Sequence, residues 1–360
     1  MERFGFVGLP NAGKSSLYNA RAGGGALAAP YAFATVDPNV GVARVPDDRV
    51  ERLAEMSASA QSIHATVQFV DIAGLVKGAA QGEGLGNRFL SHIREVDALV
   101  FVLRAFEDDD VPGGHDPLEQ LETLEVELVY ADLESLDKQA EKKRKAAKGD
   151  KSLLPEVTAL DAAIGSLGEG TPLYRSELDP EQLAVLRGYN LLTAKPALAL
   201  VNLDESQLED ADPVLEPVRA AFGDAGGHAV IGLCIQLEAE AAMLDEESRA
   251  EMLEALGLGR GALDTFLLAV YELLGLRTFL TTGEKETRAW TFRKGSLAPQ
   301  AAGVIHTDFE RGFIRAQVIQ AEELLAAGGW AAARDIGKVR TEGKDYEVAD
   351  GDVVEFLFNV

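Results

Sequence analysis

The chain has 360 residues, with 34 Lys+Arg against 59 Asp+Glu and a formal net charge of −25. The length allows two or three domains with cores of their own, and a hydrophobic share of 47% excludes disorder as the main state. So acidic a balance excludes wholesale coating of nucleic acid by a basic surface, but leaves room for a local basic patch. The single cysteine, Cys234, cannot form an internal disulfide or a cysteine-only zinc site, which suits a reducing compartment. The opening Met1-Glu2-Arg3-Phe4-Gly5-Phe6-Val7 holds too short an apolar run for a signal peptide. No window approaches the roughly 18 apolar residues of a membrane span. A monomeric cytoplasmic protein with no membrane partner is expected.

In chain order, Phe4–Leu9 reads as a buried strand ending at a glycine turn, and Lys14–Ala22 as a helix. Val67–Asp71, Ala98–Leu103 and Pro196–Val201 read as further strands separated by helical stretches, so this part is α/β with a largely parallel sheet. Leu121, Leu124, Leu128 and Ala131 form one helical stripe, and Val157, Leu160, Ile164 and Leu167 repeat its spacing. Gly149-Asp150 lies between the stripes and breaks the helix, so two antiparallel helices packed along them predict an arm. The alternative is that both stripes pack onto the main core. Beyond Thr278, glycines such as Gly283, Gly295, Gly303 and Gly312 punctuate short apolar runs, which predicts a small strand-rich domain.

Charge is uneven along the chain. Glu107–Glu134 contains eleven acidic residues and no Lys or Arg, whereas Asp137–Lys151 contains seven basic and three acidic residues, a local +4. After residue 277 the count is ten basic against thirteen acidic, −3, leaving −22 for residues 1–277.

Gly8-Leu9-Pro10-Asn11-Ala12-Gly13-Lys14-Ser15 matches G-x-x-x-x-G-K-[ST] between a strand and a helix. Its backbone N–H groups, from Asn11 through Ser16, and the helix N-terminus suit phosphate oxygens. Lys14 is expected to reach the β- and γ-phosphates, and Ser15 to ligate Mg²⁺. Asp71 opens Asp71-Ile72-Ala73-Gly74, where the carboxylate suits the same Mg²⁺ and the Gly74 N–H suits the γ-phosphate. Thr35 lies between these motifs, where a switch threonine closing on Mg²⁺ is expected. This order points to a GTPase-type switch fold, with a base-reading motif after a later strand. Asn202-Leu203-Asp204-Glu205 occupies that position. Guanine-specific proteins carry Asn-Lys-x-Asp there, the Asp accepting from the guanine N1–H and 2-amino groups. Glu205 is one methylene too long for that pair, and adenine offers neither donor, so the expected nucleotide is ATP.

These residues resemble the YchF (Obg-like ATPase) family. The most specific pieces are Phe33–Gly41, Asp71–Gly78, Gln81–Leu90, the Asn-x-x-Glu at Asn202–Glu205, and Gln300–Arg315. The resemblance implies a P-loop NTPase core (1–118 and 195–277), an inserted antiparallel helical coiled-coil arm (119–194) and a C-terminal TGS domain of β-grasp type (278–360). It implies ATP hydrolysis with GTP a poor substrate, and a regulatory role linked to the ribosome or to stress; the alternatives are a GTP-specific GTPase of the same fold and a nucleotide-sensing scaffold with negligible hydrolysis. Similar proteins place a catalytic His in the loop after Val100–Leu103. His115 is the candidate here, with a solvated loop histidine as the alternative, because Leu75 replaces the water-orienting Gln of Ras-type switches. In similar NTPases an Asn at the position of Asn11 helps hold K⁺ beside the phosphates. The alternative is an Asn that only stabilises its loop. The family's Ser-Ala-x-x-Glu base contact reads Cys234-Ile235-Gln236-Leu237-Glu238 here, with Cys234 a buried small hydrophobe. Two places suit RNA or the ribosome: the Lys-rich arm, and the TGS-like segment. In the latter Arg288, Arg293, Lys294, Arg311 and Arg315 interleave with Trp290, Phe292 and Phe313. The alternative there is an aromatic core with a solvated rim.

Overall fold

The computed structural model describes residues 2–17, 40–72, 85–108, 112–222, 230–256, 258 and 261–359. Among them, in chain order, the strands are β1 (Arg3–Val7), β2 (Val40–Arg44), β3 (Ser62–Ile63), β4 (Thr66–Asp71), β5 (Ala98–Arg104), β6 (Ala197–Asn202), β7 (Val230–Leu233), β8 (Leu276–Thr282), β9 (Thr287–Arg293), β10 (Phe313–Gln320), β11 (Arg340–Glu342) and β12 (Asp352–Phe358). They build two six-stranded sheets, ordered β2-β4-β1-β5-β6-β7 and β11-β10-β12-β8-β9-β3. Two compact units result: residues 1–42 with 68–269, and residues 43–67 with 270–360.

In the first unit β4, β1, β5, β6 and β7 are parallel. Parallel strands are covered on both faces, and every residue of β5 and β6 is buried. On one face Phe4, Phe6, Phe69 and Phe266 interlock at centroid distances of 5.2–6.1 Å. On the other, Leu99, Phe101 and Leu103 meet Leu121, Leu124 and Leu128. The sheet order reverses at β1, with β4 on one side and β5 on the other. Ligands of open α/β sheets bind at such a point, beyond the carboxyl ends of the strands.

The helix Pro117–Ala147 begins at an Asp116 cap that accepts from Leu118 N (2.9 Å) and Glu119 N (3.2 Å). Its 31 residues span about 46 Å at 1.5 Å per residue. That exceeds the sheet it covers, and the helix uses different faces along its length. The Leu121-Leu124-Leu128-Ala131 stripe packs on the sheet, not on a second helix. The arm proper uses Val129, Leu136 and Ala140, which meet Leu160, Ala163 and Leu167 of the helix Leu154–Gly168. The expectation that the first stripe belongs to the arm is therefore corrected. The four-residue repeat showed a buried face without showing which layer buries it. The break falls as expected at Gly149-Asp150, where both N–H groups return to Ala146 O.

The returning chain is fixed by Asp132, which is fully buried. Its carboxylate accepts from Leu192 N (2.9 Å), Thr193 N (2.8 Å) and Thr193 Oγ1 (2.7 Å). Burial raises the Asp132 pKa despite these bonds.

The second unit is a β-grasp sheet. β8 and β9 form an antiparallel hairpin, β12 lies parallel to β8, and β10 is antiparallel to β12. Phe279, Phe292, Val318 and Val354 pack under Ala298, Ala301 and Ala302 of the helix Ala298–Ile305. This unit includes residues that the sequence segmentation assigns to the nucleotide core. The helix Asp48–Met56 joins it through Arg49 to Asp350 (2.9 Å) and a bidentate Arg52–Glu322 pair (2.6 and 2.8 Å). β3 extends the sheet beside β9. These partners lie some 270–300 positions downstream, so no local pattern reveals them.

Asp132→Ala leaves two backbone donors and a hydroxyl buried without an acceptor. It is expected to cost about 2–4 kcal/mol, read as a lower denaturant midpoint.

Candidate nucleotide site

The loop after β1 is shaped by two left-handed residues, Asn11 (φ 65°) and Gly13 (φ 102°). A Cβ on Gly13 would lie 2.6 Å from Asn202 Nδ2 and 2.9 Å from Ile235 Cδ1, and a Cβ on Gly8 would lie 2.5 Å from Val102 O. Glycine is thus required at both positions. Ala12 is buried, while Ser15 and Ser16 open a helix with exposed side chains.

Asn202, at the end of β6, ties the site together. Its Nδ2 donates to Ala12 O (3.2 Å), and its Oδ1 accepts from Ile235 N (3.1 Å). Lys14 is 7% exposed and donates from Nζ to Gly8 O and Leu9 O, both at 2.8 Å. Burial lowers its pKa to about 8, against the opposing pull of Asp71. Ser15 Oγ donates to Asp71 Oδ2 at 3.4 Å, while the buried Asp71 Oδ1 has no hydrogen-bond partner. A hydroxyl beside a carboxylate with an unsatisfied buried oxygen suits a hard, oxygen-seeking divalent cation. The residues therefore fit Mg²⁺, and Ser15 and Asp71 would hold it. Thr35, Gly74 and Leu75 lie outside the described residues.

The base-side residues divide. Leu203 is 2% exposed and packs in the sheet core beside Leu215, so its side chain does not present a surface over the base as the stem of a lysine does. Asp204 is committed locally, accepting from Ser206 N (2.9 Å) and Ser206 Oγ (2.8 Å). Glu205 is exposed at the start of a short 3₁₀ turn. Cys234 is buried, and burial raises its thiol pKa, which suits a packing residue. Sequence reasoning named Glu238 only within a motif and gave it no role of its own. It is 3% exposed and braces the helix Ile235–Ala241 by accepting from Leu263 N at 3.2 Å. Its signal was the final position of the Ser-Ala-x-x-Glu pattern.

Asn11 and His115 lie in the neighbouring loop system. Asn11 Nδ2 donates to Pro112 O (3.3 Å). His115 Nε2 meets Glu107 Oε1 at 3.0 Å with its side chain 54% exposed, lining a groove that includes none of Asn11–Ser15. His306 is a capping residue, its Nδ1 accepting from Asp308 N.

A β1–glycine loop–helix at a sheet's switch point, with lysine, serine and aspartate converging there, defines a P-loop nucleoside triphosphatase. A family model described as "50S ribosome-binding GTPase" matches residues 3–145, and YchF-GTPase_C, described as a protein of unknown function, matches 276–359. The "Ribosome-binding ATPase YchF" of Bacillus subtilis is 46% identical over 99% of both chains, and that of Escherichia coli O157:H7 is 44% identical over the same share. The solved structure of the Schizosaccharomyces pombe YchF GTPase superposes with a TM-score of 0.88 at 33% identity, covering 99% of this chain and 97% of that one. The chain belongs to the YchF family.

Two predictions follow from the loop. Gly13→Ala is expected to lower nucleotide affinity at least about tenfold, measured by titration calorimetry. Lys14 is already protonated below pH 8, but above about 8 it must take up a proton to meet a triphosphate. Affinity should therefore fall as pH rises past 8, with proton uptake visible as a buffer-dependent binding enthalpy.

Proposed function

We propose that this protein hydrolyses ATP in preference to GTP, with Mg²⁺, as a regulatory switch linked to the ribosome. The Asn202–Glu205 turn carries the base preference. A guanine-reading carboxylate must stand free at one defined distance. Here Asp204 is bound to Ser206, the free carboxylate of Glu205 is a methylene longer, and Leu203 is turned into the core. A guanine would leave its N1–H and 2-amino donors without their usual acceptor, whereas adenine has none there to satisfy. The names of the curated relatives support ATP.

On nucleotide binding Lys14 exchanges its bonds to the Gly8 and Leu9 carbonyls for phosphate oxygens, placing positive charge where the transition state gathers negative charge. Mg²⁺, which Ser15, Asp71 and Thr35 would hold, would supply further charge neutralisation when bound, and the Gly74 N–H suits the γ-phosphate. With Leu75 in place of a water-orienting Gln, unaided turnover is slow. Asn11, its amide fixed on Pro112 and its Oδ1 remaining, is the residue we assign to K⁺, and His115 is the candidate water-orienting group.

The link to the ribosome rests on the relatives' names and on charge. Lys138, Lys143, Arg144 and Lys145 are paired with Glu134, Glu156, Asp161 and Glu141. Lys142, Lys148 and Lys151, at the turn of the arm, are exposed and available for phosphate contact. In the C-terminal unit Arg288 lies over Trp290 (4.7 Å), which stacks on Phe279, so this aromatic pair serves the fold, leaving exposed Lys294, Arg311 and Arg315 as candidate RNA contacts.

Calorimetry with non-hydrolysable ATP and GTP analogues tests the base preference. ATP is expected to bind at least about tenfold more tightly, and Glu205→Asp to move that ratio toward GTP by a similar factor. Equal affinities in the wild type would sink the proposal.

A further inference from the structure

The groove lined by His115 lies between the start of the helix Pro117–Ala147 and the helix Asp212–Phe222, and encloses about 790 Å³. Its apolar lining comprises Pro117, Leu118, Pro213, Val214 and Pro217. Its rim is anionic. Glu107, Asp116 and Asp204 line the groove as well, and residues 204–216 carry six carboxylates and no Lys or Arg. Among the described residues, two arginines beside the groove have partners of their own. Arg219 is paired with Asp212 (2.8 Å) and Glu216 (3.6 Å), and the buried Arg104 donates to Phe106 O (3.0 Å) and Asp108 O (3.3 Å). Pro217 has no N–H to give to the Pro213 carbonyl one turn earlier, so the helix presents an additional acceptor on this side. The walls are also braced. Gln120 clamps Arg104 through its backbone N and O (2.9 and 2.8 Å), and Gln207 reaches Ala105 O (3.3 Å).

Acceptors and carboxylates beside an apolar lining are complementary to one chemistry: an apolar side chain flanked by lysine or arginine. We propose that this groove docks an extended cationic peptide segment, with an apolar residue seated on Leu118 and Val214 and basic residues on either side meeting Glu107, Asp116 and Asp204. A nucleic acid is repelled by the same rim, and a second copy of a chain of charge −25 carries little net attraction to it. The groove includes none of Asn11–Ser15, but it shares Asp204 and His115 with the neighbourhood of the nucleotide site.

The test uses the full chain and a fluorescein-labelled decapeptide of alternating lysine and leucine, followed by fluorescence anisotropy at physiological salt. Binding is expected. Replacing the peptide's leucines by serine should weaken it at least about tenfold, as should Val214→Asp, while Glu107→Lys should weaken it several-fold. Glu181→Lys, the same charge change on the exposed face of the helix Pro180–Leu186, should leave the dissociation constant within about twofold. The serine peptide probes the unaltered protein, so it is informative even where a variant folds poorly. The proposal fails if the lysine–leucine peptide does not bind or the serine peptide binds as well. It fails equally if Glu181→Lys is as harmful as Glu107→Lys.

Discussion

One buried amide governs the geometry of the nucleotide edge. Asn202 is 6% exposed and donates to the phosphate loop at Ala12 while accepting from the base-side loop at Ile235. The two loops follow β1 and β7, strands separated in the sheet by β5 and β6. Without a link their ends would move independently, whereas a triphosphate needs both at a fixed separation. Only an amide has a donor and an acceptor on one rigid fork, so aspartate, leucine or serine cannot substitute. The requirement for glycine at position 13 is the steric counterpart of the same contact, because the Asn202 amide occupies the space a Cβ would fill.

Around that fixed edge the site holds its charges at a disadvantage. Lys14 is buried against two carbonyls, its pKa lowered to about 8, and Asp71 keeps one buried oxygen without a partner. Each arrangement costs stability in the bare protein, and each would become favourable with phosphate and a divalent cation bound as proposed. The electrostatic work is therefore done during folding, and little reorganisation remains for the moment of reaction.

The phosphate loop, Asp71, Asn202 and the parallel sheet were legible because each rests on short-range logic. A glycine turn follows a strand, a carboxylate ends one, and runs such as Ala98–Leu103 are apolar on both faces. What was not legible rests on long-range packing. The stripe at Leu121–Ala131 has the same periodicity whether it meets a helix or a sheet, and only the tertiary contact with Leu99 and Phe101 decides. Leu203 stands where guanine-binding proteins place a lysine, yet its burial beside Leu215 follows from the packing of the helix Asp212–Phe222. The helix Asp48–Met56 reads as part of the first unit until Arg49 and Arg52 find Asp350 and Glu322. Local spacing states that a residue is buried or charged. It does not state against what.

The distribution of charge acquires a structural sense from the helix Pro117–Ala147. Its first half carries acids and no bases, and its second half carries Lys138, Lys142, Lys143, Arg144 and Lys145. At its ends this polarity matches the backbone dipole, with Glu119 in the first turn and Arg144 and Lys145 in the last. It also separates two chemistries by most of the helix's length. At the start, Asp116 and Pro117 lie on the acidic groove; at the end, the arm turns beside Lys148 and Lys151. Screening at physiological salt acts over about 8 Å, far less than the helix spans, so the two ends act as electrostatically independent surfaces. A net charge of −25 is thus compatible with a phosphate-binding tip, because a polyanion at the turn of the arm is shielded from the carboxylates at its base.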